Sequence, residues 1–184
     1  MKKIYLVSTS LLKTNSIICQ NVDDSLLLNA ISEAQDIELQ QTLGSALYNR
    51  ILNDVDEGTI AGDYKELLDN YIQNFVCYYA VYHAIPVISI KIKNKGVVRE
   101  NSEWSQDSTF QEMSYLRKDT QDKAEFYAQR LSDYLQANKD SFPEYKANCG
   151  CCGDVAPKRN QYRSGLVLED CKCERGYNIV DITL

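Results

Sequence analysis

Five of the seven cysteines lie between residues 149 and 173, the densest group of potential metal ligands in the chain. Cys149 and Cys152 are separated by two residues, and Gly153 then lets backbone amides turn toward thiolate sulfur. Cys171 and Cys173 form a second close pair. Because zinc binds four soft ligands in a tetrahedron, and two close pairs supply them, the pattern predicts a zinc site at these four cysteines.

Two other interpretations of these cysteines stay open. The second pair has one intervening residue, whereas structural zinc sites usually have two or more. Free thiols in a reducing compartment, or disulfides formed after release from a cell, also fit the spacing. Cys19 and Cys77 lie in apolar sequence and are predicted to be buried thiols.

The remaining polar residues give no catalytic pattern. His83 is the only histidine, and no nucleophile motif accompanies it, so we expect a structural histidine rather than a general base. The carboxylates, Glu33 and Asp36 among them, are predicted on solvated faces, and the glycines form no phosphate-binding loop. The sequence therefore predicts that the protein is not an enzyme.

Three lysines, Lys91, Lys93 and Lys95, accompany a predicted β-hairpin. Isoleucines alternate with polar residues over 88–92, and a tight turn follows, which indicates a hairpin at about residues 87–100. Lysines along a strand either protect a sheet edge from aggregation or dock an acidic partner. Both interpretations remain open.

Most of the remaining chain is predicted to be helical, because apolar residues recur every three or four positions. Gly44 is expected to separate the first two helices, and Pro86 to end the third, whose broad stripe of tyrosines and aliphatic residues indicates the central helix. Short β-prone stretches at 4–7 and 16–19 are expected to be edge strands or extended arms. The predicted helices cover about residues 24–41, 45–56, 63–84 and 108–138.

The predicted fold class is mainly α, a bundle of about four helices with a β-hairpin between the third and fourth helices and extended terminal arms. The 184 residues suffice for one domain with appendages. We divide them into an N-terminal arm at 1–20, a helical domain at 21–145 and a cysteine-containing C-terminal extension at 146–184.

The net charge of −6 argues against a protein that coats nucleic acid, which needs a basic face. This acidic charge is compatible with the wall of a channel through which DNA slides, because acidic groups repel phosphate. No apolar run approaches the roughly 18 residues of a membrane helix, and polar residues interrupt the apolar start of the chain. We therefore expect a protein made and kept in the cytoplasm.

Three segments resemble the head–tail connector (adaptor) proteins of tailed bacteriophages, including those of crAss-like and other Bacteroides phages. One is Ile31–Gln35 with Leu43–Tyr48, the second is the hairpin Lys93–Val98, and the third is the closing helix and its exit, Phe126–Tyr145. The resemblance covers about residues 15–145 and leaves out the cysteine-rich extension.

The resemblance implies a structural virion protein without a reaction of its own. It implies a homo-oligomeric ring, usually a dodecamer, that docks on the portal protein, contacts neighbouring tail proteins and surrounds the passing DNA at the head–tail interface. Assembly would take place in the cytoplasm of the bacterial host. A different interpretation is a small zinc-binding interaction or regulatory module on a helical body.

If the cysteine extension holds zinc, purified protein should contain about one zinc ion per chain. The Cys149→Ser/Cys173→Ser double variant should lose that zinc because two of its four ligands are gone, and Cys19→Ser should keep it. Elemental analysis after gel filtration measures the ratio. Metal-free wild-type protein would exclude the zinc site and leave free thiols or disulfides as the two interpretations of these cysteines.

Overall fold

The computed structural model describes residues 3–89, 91–93, 96–98, 110–145 and 155–157. Two π-helical segments, π1 (Ala34–Leu39) and π2 (Leu68–Ile72), join α2 to α3 and α5 to α6 without a break. The mainly α class predicted from the sequence is confirmed. The α-helices are α1 (Thr9–Thr14), α2 (Asp24–Glu33), α3 (Gln40–Leu43), α4 (Ser45–Asp56), α5 (Gly62–Leu67), α6 (Gln73–Ser89) and α7 (Phe110–Ala137).

Two short strands lie between α6 and α7. β1 (Lys91–Lys93) and β2 (Gly96–Val98) pair antiparallel, with Lys91 opposite Val98 and Lys93 opposite Gly96. Within the described ranges, no helix is both long and apolar enough to cross a bilayer.

The core is built around α6, which packs against both α2 and α7. Each large apolar side chain that is fully buried contributes roughly 1.5–3 kcal/mol, so α6 supplies a large share of the stabilisation. The buried residues of α6 are Phe75, Val76, Cys77, Ala80, Val81 and Ala84.

Stacked tyrosines fix the register of α7 against the preceding helical run. Tyr71 stacks on Tyr134 with ring centroids 4.0 Å apart, and Tyr78 stacks on Tyr127 at 4.7 Å. The two pairs are one heptad apart on both helices and run in opposite directions, as antiparallel helices require. Such aromatic pairs contribute about 0.5–1.5 kcal/mol each beyond their buried area.

The first π-helical segment corrects the phase of the first helical run. Ile31 and Ala34 are buried at α-helical spacing, but the next buried apolar residue, Leu39, comes five positions later. In π1 the amide of Gln40 donates to the carbonyl of Gln35, five residues back. The wider turn keeps Leu39 on the buried face.

The second π-helical segment lies in the run that leads into α6, where Leu67, Leu68 and Ile72 are all buried. The amide of Gln73 donates to the carbonyl of Leu68, five residues back, which widens the helical turn.

Pro86 does not end the third helix, because α6 continues to Ser89 with Pro86 inside it. Proline removes one amide donor from the helix ladder, but here only the last turn follows it. The buried side chains of Val81 and Ala84 hold the preceding turn in place. Ile88 is consequently helical, and the first strand begins at Lys91 rather than at about residue 87.

The structure has no strand at residues 4–7 or 16–19, and the unpredicted helix α1 lies between them. Ser8 caps this helix by accepting a hydrogen bond from the amide of Leu11. The segment packs into the same core as the long helices. Its buried residues are Leu6, Val7, Leu12 and Ile18.

Gly44 ends the first helical run in a conformation that only glycine adopts readily, with φ +77° and ψ 156°. The lack of a side chain also leaves room for Pro157, since an added Cβ would lie 2.8 Å from its Cδ. Next to it, the amide of Ser45 donates to the carbonyl of Val155 at 3.0 Å. The amide of Val155 donates to the Ser45 hydroxyl at 3.3 Å. The turn therefore both starts α4 and holds residues 155–157.

Gly44→Ala should lower the free energy of unfolding by about 2–4 kcal/mol, because backbone strain and the clash with Pro157 add. Gly58→Ala is the matched control. Gly58 has φ +69° and nothing within 4 Å of its added Cβ. Only the strain of about 1–2 kcal/mol applies there. Urea unfolding followed by circular dichroism measures both, and equal losses would contradict a packing role for Pro157.

Candidate functional site

The cysteines predicted to bind zinc cannot be placed from the described residues. Cys149, Cys152, Cys171 and Cys173 all lie outside them. Among the residues that are described, no group of three or more histidine, cysteine, aspartate or glutamate side chains is arranged to hold a metal ion. The zinc site remains a prediction from spacing.

The lysines proposed for partner docking belong to the predicted hairpin. Lys91 and Lys93 are two positions apart in β1, which places them on the same face of the strand. Lys95 lies outside the described residues. The backbone thus supports a shared face for the first two lysines and leaves the choice between edge protection and docking open.

The two cysteines of the helical body differ in exposure. Cys77 is buried, and burial raises the pKa of its thiol to about 11, so it stays protonated. Cys19 is exposed, which corrects the prediction that both are buried. Its neighbour Ile18 turns into the core, and the following residue of the non-helical chain points outward.

His83 lies between the first helical run and α6, close to two carboxylates. Its Nδ1 lies 3.8 Å from Oε2 of Glu33, and its Nε2 lies 4.0 Å from Oε1 of Glu38. Both distances exceed a hydrogen bond. Nε2 is buried and has no hydrogen-bond partner among the described residues.

The π-helical turn explains why both carboxylates reach the same histidine. In an α-helix, residues five apart point about 140° away from each other. The wider π turn brings positions separated by five residues onto one face. Glu33 and Glu38, at the start and within π1, therefore both face His83. The sequence-based expectation that Glu33 lies on a purely solvated face misses this contact.

Burial lowers the pKa of His83 below its ordinary value, and this effect exceeds the opposing influence of Glu33 and Glu38. Arg117 on α7 adds to the lowering. The guanidinium of Arg117 lies over the ring of Tyr82, 4.5 Å from its centroid. The lowered pKa keeps the imidazole mainly neutral near neutral pH.

Gln35 fixes the N-terminal segment to the helical body. Its side chain is 2% exposed. Its Oε1 accepts from the amide of Leu6 at 2.9 Å, and its Nε2 donates to the carbonyl of Ile4 at 3.1 Å. The primary amide thus satisfies a donor and an acceptor of an extended backbone, as a neighbouring strand would. Sequence reasoning did not assign this role to Gln35.

The next residue, Asp36, links the same segment to α4. It accepts hydrogen bonds from Tyr48 at 3.1 Å and from Ser32 at 3.2 Å, and Lys3 lies 3.5 Å from its carboxylate. Burial, followed by the charge of Asp36, raises the pKa of Tyr48 to about 12. Tyr48 therefore stays neutral and acts as a donor.

A second polar network holds the chain where it leaves α7. Glu144 accepts from Arg50 at 2.7 Å and from the hydroxyl of Tyr64 at 2.7 Å. Arg50 also pairs with Asp54 at 3.1 Å. Burial acts to raise the pKa of Glu144, but the bonds from Tyr64 and Arg50 outweigh it and lower the pKa. Phe142, fully buried beside Tyr64, anchors the same segment.

An apolar cleft of about 340 Å³ lies at the opposite end of α7 from this network. Residues 17–22 form one wall, the last turns of α6 a second, and the first turns of α7 the third. Glu112 is the one charged side chain among the described residues that line it. The lining includes Ile17, Cys19, Val81, Ile88 and Leu116.

The described residues thus form a mainly helical domain whose polar clusters hold chain segments together. Residues 39–155 match a family of unknown function, DUF6712, and this is more than half of the chain. The chain belongs to this family. The match runs from the end of π1 to Val155 and so includes both helices that flank Gly44. No curated protein and no solved structure matches the chain.

One signal in the sequence could have revealed part of what was missed. The five-position step between the apolar residues Ala34 and Leu39 breaks the α-helical period and indicates a wider turn. No local signal marks the partners of Glu144 or Val155, because they lie far away in sequence.

Stability should fall below about pH 6.5 in part because of His83. The unfolded chain binds a proton near 6.5 and the folded chain only at lower pH, so the contribution is fully present above 6.5 and is lost as the pH falls through the folded pKa. His83→Gln should lose less stability than wild type between about pH 7.5 and about pH 5.5, measured by urea unfolding. Equal pH dependence in the two proteins would exclude this role.

Proposed function

We propose that the chain is a non-enzymatic subunit of a ring that joins the capsid to the tail of a tailed bacteriophage. The ring docks on the portal protein, contacts neighbouring tail proteins and surrounds the DNA passage. The observation that carries the proposal is the resemblance of Ile31–Tyr48, Lys93–Val98 and Phe126–Tyr145, in this order, to head–tail connector proteins.

The contacts made by the first and third segments support a scaffold. In the first, Gln35 holds the N-terminal segment, and Ser45 holds residues 155–157. In the third, Tyr127 and Tyr134 stack on the central helical run, and Glu144 closes the exit from α7. Each of these residues packs against the core or holds a chain segment in place, as expected in a structural subunit.

A ring requires two different surfaces on each subunit, because its interfaces are heterologous. α7 exposes Tyr115 and Phe126, which are 77% and 64% accessible. They are eleven residues apart and so project from the same side of the helix. The first helical run, which contacts α6 separately from α7, exposes Ile37. These two surfaces supply candidate faces for neighbouring subunits.

The complete fold that we propose is a bundle of about four helical rods with a hairpin between the third and fourth rods and terminal arms. The rods are the run Asp24–Leu43, α4, the run Gly62–Ser89, and α7. The net charge of −6 suits a ring through which DNA passes without binding. A dodecamer at the head–tail interface, assembled in the bacterial cytoplasm, completes the proposal.

Suppressing expression of the chain during infection should leave filled or empty heads without tails, because the joint is missing. Supplying wild-type protein should restore tailed particles. The Lys91→Glu/Lys93→Glu variant should restore at least about tenfold fewer, since each charge reversal at a complementary interface costs more than about 1.4 kcal/mol. Electron microscopy of particle fractions counts both forms.

Lys65→Glu/Lys139→Glu provides a matched control with the same change of charge at two exposed sites, one in α5 and one in the turn after α7. It should restore tailed particles as well as wild type, and circular dichroism should show equal helix content in all variants. Normal tailing without the chain would refute the ring proposal. Normal tailing with the β1 variant alone would instead assign Lys91 and Lys93 to edge protection.

A further inference from the structure

The apolar cleft gathers several of the exposed apolar side chains of the helical body. Ile17, Ile88 and Leu116 are 64%, 40% and 37% accessible, and all three line it. Each comes from a different wall, so the apolar surface is concave and continuous. Apolar patches of this kind in a soluble domain mark sites where another segment binds.

The sequence after the described residues contains a segment with a matching pattern. In Val180–Leu184, the apolar residues Val180, Ile182 and Leu184 alternate with Asp181 and Thr183. A strand with this alternation presents all three apolar side chains on one side and the polar ones on the other. It therefore has one face for an apolar surface and one for water.

The dimensions of the segment and the cleft agree. From Val180 to Leu184, an extended chain covers about 13 Å. From Val81 to Ile88, which line one wall, a helix rises about 10.5 Å. The three apolar side chains of the strand can thus lie along the two helical turns of that wall.

The segment can reach the cleft of its own chain. Pro157 lies against Gly44, which fixes where the preceding part of the extension leaves the body. Residues 158–176 can span up to about 63 Å when extended. α7, with 28 residues, is about 42 Å long, so the linker exceeds the length of the body. A tethered segment has an effective concentration near 1 mM, which favours it over a second copy at micromolar concentration.

We propose that Val180–Leu184 binds in the apolar cleft of its own chain, with Val180, Ile182 and Leu184 against Val81, Ile88 and Leu116. The bound segment covers Ile17 and restricts access to Cys19 at the rim. It thereby removes an apolar patch from the surface of the isolated subunit. This inference concerns the single chain and does not depend on the proposed ring.

The rate of maleimide labelling at Cys19, resolved by peptide mass spectrometry in reduced full-length protein, tests the proposal. Val180→Asp/Ile182→Asp should raise this rate at least about tenfold, because burying two carboxylates costs more than 1.4 kcal/mol. Ile179→Asp/Thr183→Asp adds the same charge on the opposite side of the same strand and should label like wild type. The buried thiol of Cys77 reports in each sample whether the body stays folded.

A second pair of variants tests the other partner. Leu116→Asp should speed labelling of Cys19 as the tail variant does, and Phe126→Asp, on the same helix but away from the cleft, should leave it unchanged. The wild-type rate should be the same at about 1 μM and about 50 μM protein, as binding within one chain requires.

Three results would overturn the proposal. Equal labelling of the two tail variants would show that the segment does not cover the cleft. Faster labelling on dilution would assign the cleft to a second copy. An unchanged labelling rate in Leu116→Asp would show that the segment does not bind in the cleft, even if the tail variant is labelled faster.

Discussion

Burial of α6 on two sides is the constraint on which the rest of the structure depends. Its apolar residues cover both the side that meets α2 and the side that meets α7. A helix of this kind is stable only when two neighbours cover it, so the first helical run and α7 must lie along it. Stacked tyrosines then set how far α7 slides along that helix.

The π-helical segments reconcile this packing with the sequence. Without the wide turn at π1, Leu39 would leave the core, and Glu38 would no longer face His83 beside Glu33. The same turn directs Gln35 inward to the backbone of the N-terminal segment. One local change in helical period thus keeps Leu39 in the core and allows the polar contacts of Glu38 and Gln35.

Periodicity predicted the helices well because it reflects which side of each element is buried. The start and end of α4 agree with the prediction, and α7, Phe110–Ala137, lies within the range predicted for the fourth helix. The predicted end at Pro86 was wrong because tertiary contacts outweigh the loss of one donor near the end of a helix. Gln35, Glu144 and Val155 escaped prediction because their partners lie far away in the chain. The cysteine pattern remains a prediction from spacing.

Polar contacts hold two chain segments against the helical body. Gln35 binds the backbone of Leu6 near the start of the chain, and Ser45 binds the backbone of Val155. We propose that this rigid body with its extensions serves a subunit that joins two larger assemblies. Cryo-electron microscopy of intact particles, reconstructed at the portal vertex, tests that proposal most directly. We expect a ring between portal and tail whose repeating density fits residues 24–145, and a vertex fully built from other proteins would contradict the proposal.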